Sequence, residues 1–203
     1  MAAVALVAVC GACTSARKAP IEQLPAASST AADISAIPSL PPGALVELVP
    51  SAAELPPGFA PVEGGSGVLD AAAAAALSDD PDAAALELQR NGFRDGYTEQ
   101  FENSSTGAFV SVVVLRYAAA DGAHADFARA VRESSGAERL ALAPLGDEFL
   151  ALREKVPEGD VQQLVSVRVR VGDIIWLVET GGQGEVDPAV PRGIAERLIR
   201  RIA

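Results

Sequence analysis

A two-residue turn near the end of the chain constrains the fold more than any other feature of the sequence. Gly172-Asp173 joins the apolar runs 162–171 and 174–180, and a glycine at the first loop position is what a type II′ hairpin requires. The turn therefore predicts two antiparallel strands and fixes their register, with Arg168 able to reach Glu179 diagonally. The predicted pairs are Val171–Ile174, Val169–Trp176 and Val167–Val178 on a core face, and Arg170–Ile175, Arg168–Leu177 and Ser166–Glu179 on the other.

Turn and capping residues divide the preceding chain into further elements. Asp80-Pro81 is typical of an N-cap with proline at the first helical position, and Gly92 is typical of a helix end. The run 109–117 is apolar on both faces, which predicts a central, covered strand. The other expected elements are an extended segment over 45–48, helices over 68–77, 80–90, 121–134 (capped by Asp121) and 188–202, and strands over 94–102 and 148–153.

The order of these elements predicts the fold class. Strands follow one another through hairpins without a β-α-β repeat, so we expect a single α+β domain over residues 45–203. Its antiparallel sheet should have about five to six strands, with the helices packed on one face. Because 49% of the residues are hydrophobic and only 4% are aromatic, aliphatic side chains and alanine must supply most of the core.

The beginning of the chain resembles the export signal of a bacterial lipoprotein. MAAVALVAVCGAC is apolar, uncharged and well short of the about 20 residues that span a membrane. Small residues at 11–12 precede Cys13, as in a lipobox, whereas bulky Val9 precedes Cys10. The resemblance implies a signal peptide over residues 1–12 and acyl chains on Cys13, which would hold the protein stably at the extracytoplasmic face of the membrane. Residues 13–44, rich in Pro, Ala and Ser, are expected to form a disordered tether.

Two alternatives stay open for the apolar start. It could be an uncleaved membrane anchor whose beginning lies upstream, where a basic stretch would also be expected. Cys10 and Cys13 have the C-x-x-C spacing of redox and zinc sites. A redox motif belongs between a strand and a helix, however, and zinc needs further ligands. The sequence has no third cysteine, and His124 is its one histidine.

Turn and strand residues further along resemble a group of exported bacterial lipoproteins. The pattern is Gly92-Phe93 and Gly96-Tyr97, then a Val-rich strand, then Leu145-Gly146-Asp147-Glu148. The final hairpin and helix are similar to those of a PsbP-like lipoprotein domain. The resemblance covers most of residues 45–203 and implies a small α+β module outside the cytoplasm, commonly without an assigned activity. It carries over no catalytic residue.

No set of residues has the spacing of a known catalytic centre, so we expect no catalytic residue, metal or cofactor. We interpret His124 as a surface or half-buried structural residue, because no G-x-S-x-G nucleophile accompanies it. Carboxylates are numerous, which leaves a glycosidase-type pair open without singling out its members. Four aromatic residues are either core filling or the lining of a pocket for an apolar or sugar ligand: Phe93, Tyr97, Phe101 and Tyr117.

The net charge and the absence of nucleic-acid-binding motifs reduce the number of candidate functions. The net charge of -11 opposes binding to nucleic acid, and no nucleic-acid motif occurs. Acidic residues crowd 70–102, which predicts a solvated face or, alternatively, a cation-binding one. The lead hypothesis is a non-catalytic binding or interaction module at the cell envelope, anchored through Cys13, for an envelope protein or a small ligand.

Two other functions are retained, an envelope hydrolase that uses a carboxylate pair and a purely structural envelope protein. The hydrolase would require two acidic side chains converging in one cleft, with the pKa of at least one of them raised. If Ile175 and Leu177 lay bare beside Arg168 and Arg170, a protein partner would be indicated instead.

Overall fold

The computed structural model describes residues 44–156 and 161–202. The expected signal peptide, Cys13 and almost the whole tether lie outside these residues, so they stay predictions. The strands are β1 (Ala60–Pro61), β2 (Gly67–Leu69), β3 (Phe93–Asn103), β4 (Ala108–Tyr117), β5 (Glu138–Arg139), β6 (Glu148–Lys155), β7 (Gln163–Val171) and β8 (Ile174–Gly182). The α-helices are α1 (Ala71–Ala75), α2 (Pro81–Arg90), α3 (Ala120–Glu133) and α4 (Ala189–Ile199), with 3₁₀ turns at Ala44–Leu48, Ala52–Glu54 and Ser134–Gly136.

All strands of the described chain form one antiparallel sheet, in the order β1-β3-β4-β8-β7-β6-β5, with β2 also pairing with β3. The α+β class and the antiparallel sheet are confirmed. The expected count of about five to six strands was too low, because the described part of the chain contributes eight. The additional strands are the two- and three-residue pieces β1, β2 and β5 at the sheet edges, which are too short to carry an alternating pattern.

The hairpin of β7 and β8 has the predicted register. Each of the six expected pairs is present, from Val171 opposite Ile174 to Ser166 opposite Glu179. Gly172 has φ +58°, and no described non-glycine residue has a positive φ. A positive φ at the first loop position and not at the second is the signature of a type II′ turn.

Helices cover both faces of the sheet, which corrects the expectation that they pack on one. Helix α4 contacts β7 and β8 on the face of Trp176, here called the α4 face. Helix α3 packs against the opposite face, here called the α3 face, where α1 and α2 join it. The sequence carried this signal, because β4 places Val112 and Val114 in one core cluster and Val113 in the other. A strand that is apolar on both faces needs cover on both.

The first described residues pack on the α4 face. Residues 44–48 form a 3₁₀ turn and not the expected extended segment. Leu45 and Leu48 are both buried, and a three-residue spacing brings both side chains to one side only if the chain coils. The indole Nε1 of Trp176 donates to the Leu48 carbonyl at 3.1 Å, so the turn is fixed directly to the centre of the sheet.

Three helices differ in extent from expectation, and one of them, α4, ends at Ile199 and not at the predicted residue 202. The segment 68–77 divides into edge strand β2 and the short helix α1, whose N-cap Asp70 accepts a hydrogen bond from the Ala73 amide at 2.8 Å. Helix α3 begins one residue before Asp121, and its N-cap Ala119 makes no side-chain hydrogen bond. In contrast, α2 is capped by Asp80 as predicted, and Gly92 follows its end with φ +70°.

Candidate functional site

The helices of the α3 face leave a cleft between them. They meet at one end, where the start of α3 closes against the end of α2. A Cβ on Gly122 would lie 1.9 Å from the Asn91 carbonyl oxygen, so glycine is needed for this approach. Beyond that contact, the later part of α3 borders a cleft of about 330 Å³, with α1 and α2 on its other side. This volume is at the lower end of the range of small-molecule sites, roughly 300–1,000 Å³.

The floor of the cleft changes from apolar to polar along the strands. On β8, Ile175 and Leu177 come first and Glu179 follows at the next position on the same face. The pairing places apolar residues of β4 beside the first two and Ser111 beside Glu179. Strand β7 adds Ser166 on the other side of Glu179. The remaining apolar walls come from β6, α1, the α1–α2 connection and α2: Leu150, Leu152, Ala74, Leu77, Ala84 and Leu88.

A charged cluster on α3 forms the wall facing this floor. The Asp126 carboxylate is buried, with 1% of its side chain exposed. Arg129 Nη2 donates to its Oδ1 at 2.7 Å, and Arg168 Nη1 of the floor lies 3.5 Å from its Oδ2. Arg129 also bonds Glu133 at 2.8 Å. Burial alone would lower the pKa of Arg129, but its bonds and charge interactions with these two carboxylates outweigh that effect and raise it. Both arginines are therefore fixed by Asp126.

Glu179 is the unusual residue of the cleft. Its carboxylate is partly buried in the floor, and no described residue donates a hydrogen bond to it or forms an ion pair with it. Burial raises the pKa of this carboxyl, the nearby Arg168 charge opposes the rise, and the Glu154 charge adds to it. The expected diagonal pair of Arg168 with Glu179 is thus replaced by the contact of Arg168 with Asp126.

Negative charge predominates around the cleft. Its charged lining consists of two arginines, Arg129 and Arg168, and the acidic residues Asp79, Asp126, Glu133, Glu154 and Glu179. Asp126 and Glu133 are paired with the arginines. Within the described ranges, Asp79, Glu154 and Glu179 have no ion-pair partner. The cleft therefore combines an apolar floor with carboxylates that are not neutralised.

The structure separates the four aromatic residues that were candidates for a pocket. Phe93 and Tyr117 contact each other on the α3 face, edge to face, with ring centroids 5.9 Å apart. Tyr97 and Phe101 lie on the α4 face. None of the four lines the cleft, so the described residues place no common aromatic pocket there. The buried Tyr117 hydroxyl has no hydrogen-bond partner, and burial, followed by the charge of nearby Asp126, raises its pKa.

His124 lies at the surface, as the sequence suggested. Its side chain is 61% exposed, and its Nδ1 lies 2.9 Å from Glu148 Oε1. Glu148 also accepts a bond from Arg170, which in turn bonds Asp147. This network ties the start of α3 to β6 and β7.

Among residues 44–156 and 161–202, no cluster of His, Cys or acidic side chains could hold a metal ion. No helix in these ranges is long and apolar enough to cross a membrane.

Sequence reasoning missed Glu179 and Asp126 as site residues, and a sequence signal was available for Glu179 alone. Glu179 is an acidic residue within an apolar strand, on the face opposite the Val167 and Trp176 core, and the turn fixed that position. Asp126 lies next to Phe127 in α3, where a solvated acid is the ordinary interpretation. Only the packing of α3 on the sheet turns it inward.

Comparisons with known proteins show the fold and no family. No family model matches the chain, and no curated protein matches it. The extracellular domain of PknH from Mycobacterium tuberculosis has a TM-score of 0.55 at 10% identity, over 77% of this chain and 95% of that one. A Mycobacterium smegmatis protein described as an Rv0999 ortholog has a TM-score of 0.41 at 12% identity, over 82% of this chain and 99% of that one. The chain shares the fold of the PknH domain.

Proposed function

We propose that this chain is an extracytoplasmic, non-catalytic binding module, held at the membrane by lipid on Cys13, whose cleft receives a small ligand with an apolar part. The cleft on the α3 face carries the proposal. It offers half-buried Leu115 and Leu177 in a recess with polar groups at one end, which is the usual composition of a small-molecule site. The shared fold with an extracellular domain agrees with export.

The position of Ile175 and Leu177 favours a small ligand over a protein partner. Ile175 is fully buried and Leu177 is half-buried, and both are in the floor of the cleft. The accessible part of Leu177 is recessed between helices and can be reached by a small molecule, whereas protein interfaces use exposed patches.

A titration with a neutral apolar probe tests the cleft. We expect n-octanol to shift the methyl NMR signals of Leu115 and Leu177. Ala130→Trp should abolish the shifts, because Ala130 lines the cleft from α3 and an indole there fills it. Ala128→Trp is the matched control, since it adds the same ring to the same helix at a position that does not line the cleft. Absence of the shifts in the unmodified chain, or their persistence in Ala130→Trp, would refute binding in the cleft.

Lipid attachment needs a separate experiment in the full chain. A clickable fatty acid fed to a bacterial host that expresses the protein should label it and place it in the membrane fraction. Cys13→Ala should remove both the label and the membrane association, whereas Cys10→Ala should keep them. Labelling that survives Cys13→Ala would disprove the lipid anchor.

One observation supports a hydrolase as the second candidate. Glu154 and Glu179 both line the cleft, and the pKa of Glu179 is raised, first by burial and further by the Glu154 charge. A carboxyl group with a raised pKa near a second acidic side chain is an arrangement that glycoside hydrolysis uses. A panel of nitrophenyl glycosides tests it: turnover by the wild-type chain that Glu179→Gln abolishes would favour the hydrolase over the binding module, and absence of turnover would count against it.

A further inference from the structure

We propose that the ligand of the cleft carries a cationic group, an ammonium or guanidinium, that the carboxylates of Glu179 and Glu154 receive at the polar end of the floor. The inference rests on the proposed function, because it names the ligand class for the same cleft. Two independent observations support it, the change of polarity along the floor and the pairing of the lining charges.

The floor fits a molecule with an apolar body and one polar end. Ile175, Leu177 and Glu179 follow one another on the same face of β8, and successive residues on one face are about 7 Å apart. The apolar part of the floor therefore leads directly to the Glu179 carboxylate. A straight alkyl chain of roughly eight carbons that contacts the half-buried Leu177 and Leu115 would place its end group beside Glu179, within a cleft of about 330 Å³.

The charge pairing decides the sign of that end group. Arg168 and Arg129 are the basic residues of the lining, and both contact Asp126. An anionic ligand would have to separate Arg168 from Asp126, which would leave a buried carboxylate with one partner fewer. A cation meets the carboxylates of Glu179 and Glu154, which lack a partner among the described residues, without breaking an existing pair.

Glu179 also gains more from a cation than an exposed carboxylate would. A partly buried carboxylate without a donor has lost part of its hydration and has nothing in its place. A ligand that brings a charged donor supplies the missing bond, and charge-assisted hydrogen bonds are roughly twice as strong as neutral ones. The raised pKa of Glu179 has the same origin, because burial, its main cause, weakens the hydration of the charged form.

The experiment compares three probes that share an alkyl chain and differ in the charge of the head group. Binding of n-octylamine, n-octanol and octanoate to the full chain is measured by calorimetry at pH 7.5, with the Leu177 methyl signals reporting that binding occurs in the cleft. We expect the octylammonium ion to bind at least about tenfold more tightly than octanol, and octanoate to bind most weakly.

Two variants locate the preference. Glu179→Gln should reduce the difference between amine and alcohol to about twofold or less, since it removes the charge and keeps the shape of the side chain. Glu63→Gln is the control, because it removes the same charge from an exposed residue of the β1–β2 connection, outside the cleft. Unchanged methyl spectra away from the site establish that the variants are folded.

The possible outcomes separate the inference from the proposed function. If octanol binds as tightly as octylammonium, or if Glu179→Gln keeps the preference for the amine, the cation is refuted while binding in the cleft stands. If Glu63→Gln loses the preference as much as Glu179→Gln does, a general charge effect replaces the specific site. If none of the three probes binds, the cleft is not a binding site and both proposals fail.

Discussion

Glu179 opposes stability in the unliganded protein. Its pKa is raised in the folded state by burial, so ionisation at neutral pH costs folding free energy. We expect Glu179→Gln to increase the free energy of unfolding at pH 7 by about 0.5–2 kcal/mol, as when other costly functional charges are removed. Chemical denaturation measures this gain. A loss of stability would mean that the carboxylate has a stabilising partner in solution.

The pH dependence of that gain provides a second prediction. Below the ordinary Glu pKa of 4.5, the carboxyl is protonated in both states, so wild type and Glu179→Gln should be equally stable. As the pH rises above this value, the unfolded wild-type chain releases the proton before the folded one does, and the stability of the wild type should fall behind. Melting temperatures of both proteins from pH 4 to 8 test it, and a constant difference across this range would contradict it.

For individual residues, the sequence predicted the position of a side chain in the sheet better than it predicted the partner of that side chain. The turn at Gly172 placed Glu179 opposite Ser166 and diagonal to Arg168, as observed. The sequence did not indicate that Arg168 prefers Asp126, because that contact joins residues 42 positions apart and depends on how α3 lies on the sheet. The position of a side chain within a hairpin is local information, whereas its charged partner in another layer is not.

The hairpin of β7 and β8 depends on one glycine. Gly172 has φ +58°, which costs a residue with a Cβ about 1–2 kcal/mol. We expect Gly172→Ala to lower the free energy of unfolding by that amount, measured by urea denaturation. Gly136→Ala is the control, because Gly136 has no positive φ and nothing within 4 Å of an added Cβ. Equal losses in the two variants would show that the left-handed conformation of Gly172 is not the cause of the destabilisation.

Element prediction succeeded where local chemistry defines the boundary. Asp80-Pro81 capped α2 and Gly92 ended it, because caps and left-handed residues are encoded within a few positions. It failed for the short edge strands. Residues 68 and 69 were predicted to begin an Ala-rich helix, but they pair with β3 at Tyr97 and Gly96. The pairing partner, and not the propensity of these residues, decides their conformation.

Residues 44–156 and 161–202 form two helical layers separated by one sheet. The sequence predicted the α+β class but placed all helices in one layer. The apolar residues on both faces of β4 indicated cover on both, yet no local pattern states which helix covers which face. The candidate cleft depends on that missing information, because it exists only where α1 and α2 stand apart from α3 on one face. The α4 face is filled instead, with Trp176 and Ile194 almost fully buried.

A mutation in one helical layer should leave the other layer unaffected, and a substitution of Arg201 tests this. Its guanidinium donates to the carbonyls of Glu47 and Val49 and to the Glu54 carboxylate, so it joins the end of the described chain to its beginning on the α4 face. Arg201→Ala should lower the free energy of unfolding by about 1–3 kcal/mol and speed amide exchange over residues 45–54. Arg200→Ala is the control, because the 70% exposed Arg200 pairs only with Glu196 of its own helix.

Arg201→Ala should also change how stability depends on pH, and it should leave the ligand affinity of the cleft unchanged. The Ser51 backbone bond, followed by Arg201, lowers the pKa of Glu54 to about 2. Stability from this depressed pKa is complete above the ordinary value of 4.5 and is lost as the pH falls toward 2. Arg201→Ala should remove only part of this stability, because the bond from Ser51 remains.

Since the sheet lies between Arg201 and the cleft, the octylammonium affinity of Arg201→Ala should stay within about twofold of wild type. A larger change in affinity, absent in Arg200→Ala, would mean that the sheet couples its two faces.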